Sequence, residues 1–231
     1  MKKLLAIVLL LCMLCTCAFA EGNLVRTETR VVREKKEYSD EYDINVFIQF
    51  TNAGDAPIAL DQGVLKLLDA SGNVLVEESF YSMTPNTLNP GEVGYTTRTI
   101  FGVDAATATA LASYEISTEV EDYFFYEYLP LEHTAVYEVL DDYGYKTGMV
   151  TFTIANNTQD ILWNPIVLGV IRSADGKILQ IVEEEAYDVG ILPGNSIVLR
   201  TSVSNSDLER WNAAGYTTVT VESHAYSEID N

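Results

Sequence analysis

Ile44, Val46, Ile48 and Phe50 alternate along the chain with Asn45, Phe47, Gln49 and Thr51. Further on, Val150, Phe152 and Ile154 alternate with Thr151 and Thr153. A period of two, built from β-branched and aromatic residues, predicts strands with one face on a core. Turn signals bound these runs. Asp69-Ala70-Ser71-Gly72-Asn73 joins Val64–Leu68 to Val74–Val76, and Ser173-Ala174-Asp175-Gly176-Lys177 stands at the corresponding place later. A glycine that takes positive φ closes such a hairpin. Pro90-Gly91 and Pro193-Gly194 mark the next turn of each series. One short helix is expected before the last strand. Ser206-Asp207-Leu208-Glu209 reads as a capping box, and Asp104 takes the equivalent position earlier.

These parallels amount to an internal repeat. At an offset of 104, Val46, Ile48, Phe50 and Asn52 fall on Val150, Phe152, Ile154 and Asn156, and Gly72 on Gly176. At 103, Leu88, Pro90 and Gly91 meet Ile191, Pro193 and Gly194. At 102, Arg98, Thr99, Ala112, Tyr114 and Thr118 meet Arg200, Thr201, Ala214, Tyr216 and Thr220. A unit of about 100 residues suits an immunoglobulin-like sandwich and is too long for a solenoid repeat. The expected fold is all-β: two tandem immunoglobulin-like antiparallel β-sandwich domains after a signal peptide. The expected bounds are 1–20 for the signal peptide, 21–122 for the first domain, 123–130 for an aromatic linker and 131–231 for the second domain. The last strand fits least well. Tyr114, Ile116 and Val120 share one phase, while the second copy puts its apolar weight on Val219 and Val221. A bulge would shift the phase.

Leu65-Lys66-Leu67-Leu68-Asp69, Gly72-Asn73-Val74-Leu75 and Leu88-Asn89-Pro90-Gly91 together resemble the FxLYD domain family. The family pattern is Phe-x-Leu-Tyr-Asp; here Leu65 and Leu68 stand in place of its two aromatics. The second copy reads Gly169-Val170-Ile171-Arg172-Ser173. The resemblance implies small immunoglobulin-like sandwiches of an exported bacterial protein, and brings no activity with it.

The N-terminus changes the picture of where the chain works. Met1-Lys2-Lys3 is a positive start, Leu4–Leu14 an apolar run, and Ala18-Phe19-Ala20 an A-x-A exit. That order is a secretory signal peptide, cleaved after Ala20. The run is shorter than the roughly 20 residues that span a bilayer, and no transmembrane segment is expected in the mature chain. A rival reading is a lipoprotein lipidated at Cys17, although Thr16 precedes that cysteine. Cys12, Cys15 and Cys17 all lie in the leader, so no disulfide or thiolate site is expected after it. The formal net charge is −20, and the leader takes two lysines with it. Such a surface repels phosphate backbones, which excludes nucleic acid as a natural partner.

Candidate chemistry is sparse. No catalytic motif of the G-x-S-x-G, H-E-x-x-H, P-loop or G-x-G-x-x-G kind occurs. The two histidines, His133 and His224, are expected at edge or surface positions. Asp40, Glu41 and Asp43, and Glu119, Glu121 and Asp122, offer hard oxygens for calcium, without the D-x-D-x-D-G loop. No cofactor is expected, calcium being the one considered. Two aromatic features remain. Trp163 follows the turn Asn156–Asp160 and reads either as a packing residue or as a ring that stacks on a sugar. Tyr123-Phe124-Phe125-Tyr126 is aromatic on both strand faces and is expected to pack between the domains, the alternatives being an exposed ligand-stacking stripe and an aromatic-rich end of the first domain's own core. The expected function is therefore non-enzymatic: an exported binding or spacer protein whose partner is a protein or a cell-surface glycan. The alternative is a carbohydrate-binding module using exposed aromatics, and the third is an enzyme of unrecognised type.

Overall fold

Alternation becomes pairing in the computed structural model, which describes residues 22–121 and 126–230. The expected leader Met1–Ala20 lies outside these residues, as do Asp122 and Tyr123–Phe125. In the N-terminal half, β1 (Leu24–Lys35), β2 (Tyr42–Asn52) and β6 (Val93–Val103) form one antiparallel sheet in the order β1-β2-β6. The facing sheet contains β3 (Ile58–Asp69), flanked by β4 (Val74–Phe80) and β7 (Leu111–Glu121), with the short β5 (Thr87–Leu88) paired to the start of β3. Ile44, Val46, Ile48 and Phe50 of β2 bury against Leu60, Leu65, Leu67 and Phe80 from the opposite sheet. This is the contact that makes two sheets a sandwich.

The C-terminal half repeats the arrangement. Its first sheet is β9 (His133–Asp142), β10 (Tyr145–Ala155) and β15 (Ser196–Val203). The second contains β12 (Ile166–Ser173), β13 (Ile178–Glu185) and β16 (Val219–Asp230), extended by β8 (Tyr126–Pro130) in the order β13-β12-β16-β8. The small ladder of β11 (Leu162–Trp163) with β14 (Gly190–Ile191) completes it. Val150, Phe152 and Ile154 are buried in this core with Val167, Ile171 and Leu179. The chain is all-β, with antiparallel sheets packed as β-sandwiches.

Three details differ from the sequence reading. Residues 126–130 are not linker but strand: β8 pairs with β16, from Tyr226 opposite Pro130 to Asp230 opposite Tyr126. The helix caps move. Helix α1 (Ala105–Ala110) is capped by Asp104 as expected, but α2 (Asn205–Ala213) starts two residues before the expected box. Its N-cap is Ser204, whose hydroxyl accepts from the Asp207 N–H at 3.1 Å and donates to the Asp207 carboxylate at 2.7 Å. The last strand has a different register. Tyr114 pairs with Leu67, and the residue paired with the equivalent Ile171 is Val221, not Tyr216. The longer α2 and the turn after it supply the extra residues in the C-terminal half, while the β3–β7 ladder carries register shifts at Leu60/Gln62 and Leu68/Asp69.

The halves are joined face to face. The outer face of β1-β2-β6 carries Val32, Phe47 and Tyr95, and these bury against Leu168, Val170, Ile178 and Ile181 of the C-terminal half. Phe47 lies on the phase that the alternation assigns to solvent, yet it is 4% exposed. Polar groups ring the apolar contact. Arg172 donates to Glu28 at 2.7 Å, to Gln49 at 2.6 Å and to Glu222 at 2.9 Å. The Tyr95 hydroxyl donates to Glu222 at 2.7 Å, and the Ile178 N–H to Glu28 at 2.9 Å. Of the aromatic run expected between the domains, Tyr123–Phe125 fall outside the described residues, and Tyr126 is described only as backbone in β8.

Candidate functional site

Asn156 begins the site. It is fully buried at the end of β10. Its side-chain amide donates to the carbonyls of Asp160 and Ile191, at 2.7 and 2.6 Å, and its oxygen accepts from the Thr158 N–H at 2.9 Å. An amide with both ends satisfied in a buried position fixes the loops it bridges. Asn156 thus shapes the 157–161 turn and ties it to β14.

Trp163 follows directly. Its backbone pairs with Gly190, and the buried Ser227 hydroxyl donates to its carbonyl at 2.7 Å. The indole lies across Gly190: a Cβ built there would stand 3.0 Å from Trp163 Cζ3 and 2.8 Å from Ile161 Cγ2. A glycine is needed for that close approach. The ring is held yet 52% exposed. Beside it rises the turn 186–189, with Tyr187 72% exposed at its tip. Asn164 and Asp188 both adopt positive φ, 46° and 58°. Asn and Asp tolerate this better than other residues with side chains. They brace one another, because the Asp188 N–H donates to the Asn164 side chain at 2.9 Å and the Asn164 N–H to the Val189 carbonyl at 3.0 Å.

These groups enclose a cleft of about 720 Å³ whose walls include Trp163, Tyr187, Asp160, Asp188 and Glu228. Glu228 accepts from the Tyr128 hydroxyl at 3.3 Å. Burial first, then the Glu228 charge, raises the Tyr128 phenol well above its ordinary value, so it stays a donor. The rim therefore combines two exposed aromatic faces with carboxylate acceptors, and among the described residues no lysine or arginine lines it.

The N-terminal half has the same ladder without the site. There Ile58 pairs with Leu88 and Ala59 with Thr87, where the C-terminal half has Leu162 with Ile191 and Trp163 with Gly190. Ala59 is fully buried, and the nearby Thr84 donates to Glu183 of the other half at 2.8 Å. One copy packs this end inward; the other opens it around a tryptophan.

The other candidates lie elsewhere. Asp40, Glu41 and Asp43 face lysines: Lys35 is 3.4 Å from Asp40, and Lys36 is 3.3 and 3.4 Å from Glu41 and Asp43. Glu119 and Glu121 stand on β7, and Asp122 is outside the described residues. Among the described residues no group of three or more His, Cys, Asp or Glu is gathered as a metal site. His133 bridges the Leu131 carbonyl and Ser223, and His224 lies tilted beside Tyr95 with ring centroids 5.5 Å apart, at the contact between halves.

No family model matches the chain, and no curated protein does. Among solved structures, one that aligns is red sea bream transglutaminase, with 8% identity and a TM-score of 0.23. The alignment covers 77% of this chain and 27% of that one, so the chain spans about a quarter of that protein's length. A superposition at that score carries no inference about fold or activity.

Proposed function

We propose that this is an exported, non-enzymatic carbohydrate-binding protein, with the Trp163 cleft as its binding site. The observation that carries the reading is a half-exposed indole seated on a glycine, beside an exposed tyrosine and carboxylates. A sugar ring has an apolar face of C–H groups and a rim of hydroxyls. An aromatic face takes the first, and carboxylate and amide oxygens take the second. Binding sites of this kind reside on loops held by a framework. Here the framework is the sandwich, and the buried Asn156 and Ser227 hold the loops. Reading the protein as a binder rather than an enzyme rests on the sequence, which carries no catalytic motif.

The test is calorimetry against a panel of soluble oligosaccharides. Trp163→Ala should weaken binding by roughly five- to tenfold, the equivalent of about 1 kcal/mol of ring contact. Melting temperature should hold, because the indole is half in water. A panel that binds equally well with and without the indole would overturn the assignment of the site. Export is tested separately. Secreted material should begin at Glu21, and a diacylglyceryl Cys17 at its start would replace the free form with an anchored one.

A further inference from the structure

We propose that the cleft takes a positively charged sugar: an amino sugar whose nitrogen is free rather than acetylated. This rests on the carbohydrate reading above and goes one step further, to the charge of the ligand. Three acidic residues, Asp160, Asp188 and Glu228, line the cleft, and among the described residues no basic one does. Some acidic groups at the contact between halves have a cation beside them: Arg172 pairs with Glu28 and Glu222, and Arg210 with Glu34 at 3.0 Å. Asp160 and Asp188 form no ion pair among the described residues, and Glu228 receives a neutral phenol. The cleft is thus lined by negative charge without a counter-ion among the described residues.

Three consequences select the ligand. A neutral sugar that closed over these carboxylates would strip their water and return only hydroxyl donors. An ammonium group on the sugar supplies charge-assisted hydrogen bonds to the same oxygens. The indole favours the same choice, because a cation over its face is attracted by the ring quadrupole. At longer range, the net charge of −20 draws cationic chains toward the surface and repels uronic acids. A lysine-rich peptide shares the charge but lacks the flat C–H face that the Trp163 platform is suited to receive.

The experiment is calorimetry of the full exported chain with three probes: a short glucosamine oligomer, its fully N-acetylated counterpart, and an oligolysine of matched charge. The glucosamine oligomer should bind at least tenfold more tightly than the acetylated one. Its affinity should fall as salt is raised, and Asp160→Asn with Asp188→Asn should bring the two oligomers close together. Trp163→Ala should weaken both. If the acetylated oligomer binds as tightly or more so, the charge inference is wrong while the sugar reading stands. If neither sugar binds, the sugar reading falls as well. If oligolysine binds as well as glucosamine and is indifferent to Trp163→Ala, the attraction is charge alone and the proposal is overturned.

Discussion

At the scale of single residues, Gly190 decides how the cleft presents its ring. A side chain at this position meets Ile161 and Trp163 within 3.0 Å, and its φ is not in the left-handed region, so the obstacle is steric. Gly190→Val should therefore tilt the indole off its seat. Oligosaccharide affinity should drop by about as much as in Trp163→Ala, while the cooperative melt is kept; calorimetry and a thermal scan of one sample check both. An affinity equal to that of the parent would mean the ring needs no seat. For Trp163 the sequence leaves two readings open, a packing residue or a stacking ring, because it follows a turn; the structure leaves its ring half exposed. Tyr187 and Asp188 were not legible in the sequence. They lie more than twenty residues away, and the pairing of Trp163 with Gly190 and of Ile166 with Glu185, with the bonds of Asn164 to the 186–189 turn, brings them alongside. Phe47 was misread for a related reason. Period two tells which residues share a face, but not whether the second face is also covered.

At the scale of elements, the two buried asparagines show what repetition keeps and what it changes. Asn52 donates to the carbonyls of Ala56 and Leu88 at 2.7 and 3.0 Å, as Asn156 does to Asp160 and Ile191. The backbone repeats the match: the Gly91 N–H donates to the Asn52 carbonyl and the Gly194 N–H to the Asn156 carbonyl, both at 2.8 Å. Either asparagine changed to alanine takes the donor from one buried carbonyl, of Leu88 or Ile191, and from one part-buried carbonyl, a loss of roughly 1–3 kcal/mol. Both variants should melt earlier. Asn156→Ala should also weaken oligosaccharide binding because its loops form the cleft, whereas Asn52→Ala should not. Equal binding by the two variants would separate the cleft from this loop anchor.

The same scale shows where the offsets of the sequence misled. Turns aligned well because their chemistry is local: Asp69 accepts from the Ser71 and Asn73 N–H groups at 2.8 and 2.9 Å, and Gly72 adopts φ of 83°. Register in the last strand is not local. Similar residues such as Tyr114 and Tyr216 matched in sequence, but the longer α2 slides the strand past that match. The helix itself was legible from its capping chemistry, though Ser204 rather than Ser206 does the capping. Nearby serines offer the same hydroxyl; burial of Leu208 and Trp211 fixes which turn of the helix faces the core.

At the scale of the whole molecule, the sheets stack in four layers, with the middle two in contact across Phe47 and Tyr95 on one side and Leu168 and Val170 on the other. Arg172 and Glu222 anchor its polar rim. The Glu222 carboxyl is held down at about 2 from an ordinary 4.5, first by its hydrogen bond with His224 and then by Tyr95 and Arg172. A carboxyl whose folded pKa lies below its unfolded value stabilises the fold above the unfolded value. That stability is lost as pH falls through the window from about 4.5 to about 2. Glu222 is 41% exposed on its side chain, so solvent screening reduces the effect. Melting temperature should thus fall more steeply in that window for the parent than for Glu222→Gln. Identical pH profiles for the two would show that the rim contributes nothing. This contact was not legible in the sequence, since its residues are scattered from Glu28 to Glu222 and only the stacking gathers them.

The chain holds two tryptophans in opposite settings, Trp163 at 52% exposure in the cleft and Trp211 at 2% in the core. Each gives one indole N–H signal in a nitrogen-15 correlation spectrum, assigned by Trp163→Phe. Titration with a short glucosamine oligomer, and separately with its N-acetylated counterpart, tests the central claim directly. The Trp163 signal should move in a saturable way with at least one of them while the Trp211 signal stays in place. A Trp163 signal unmoved by saturating amounts of both would contradict that claim.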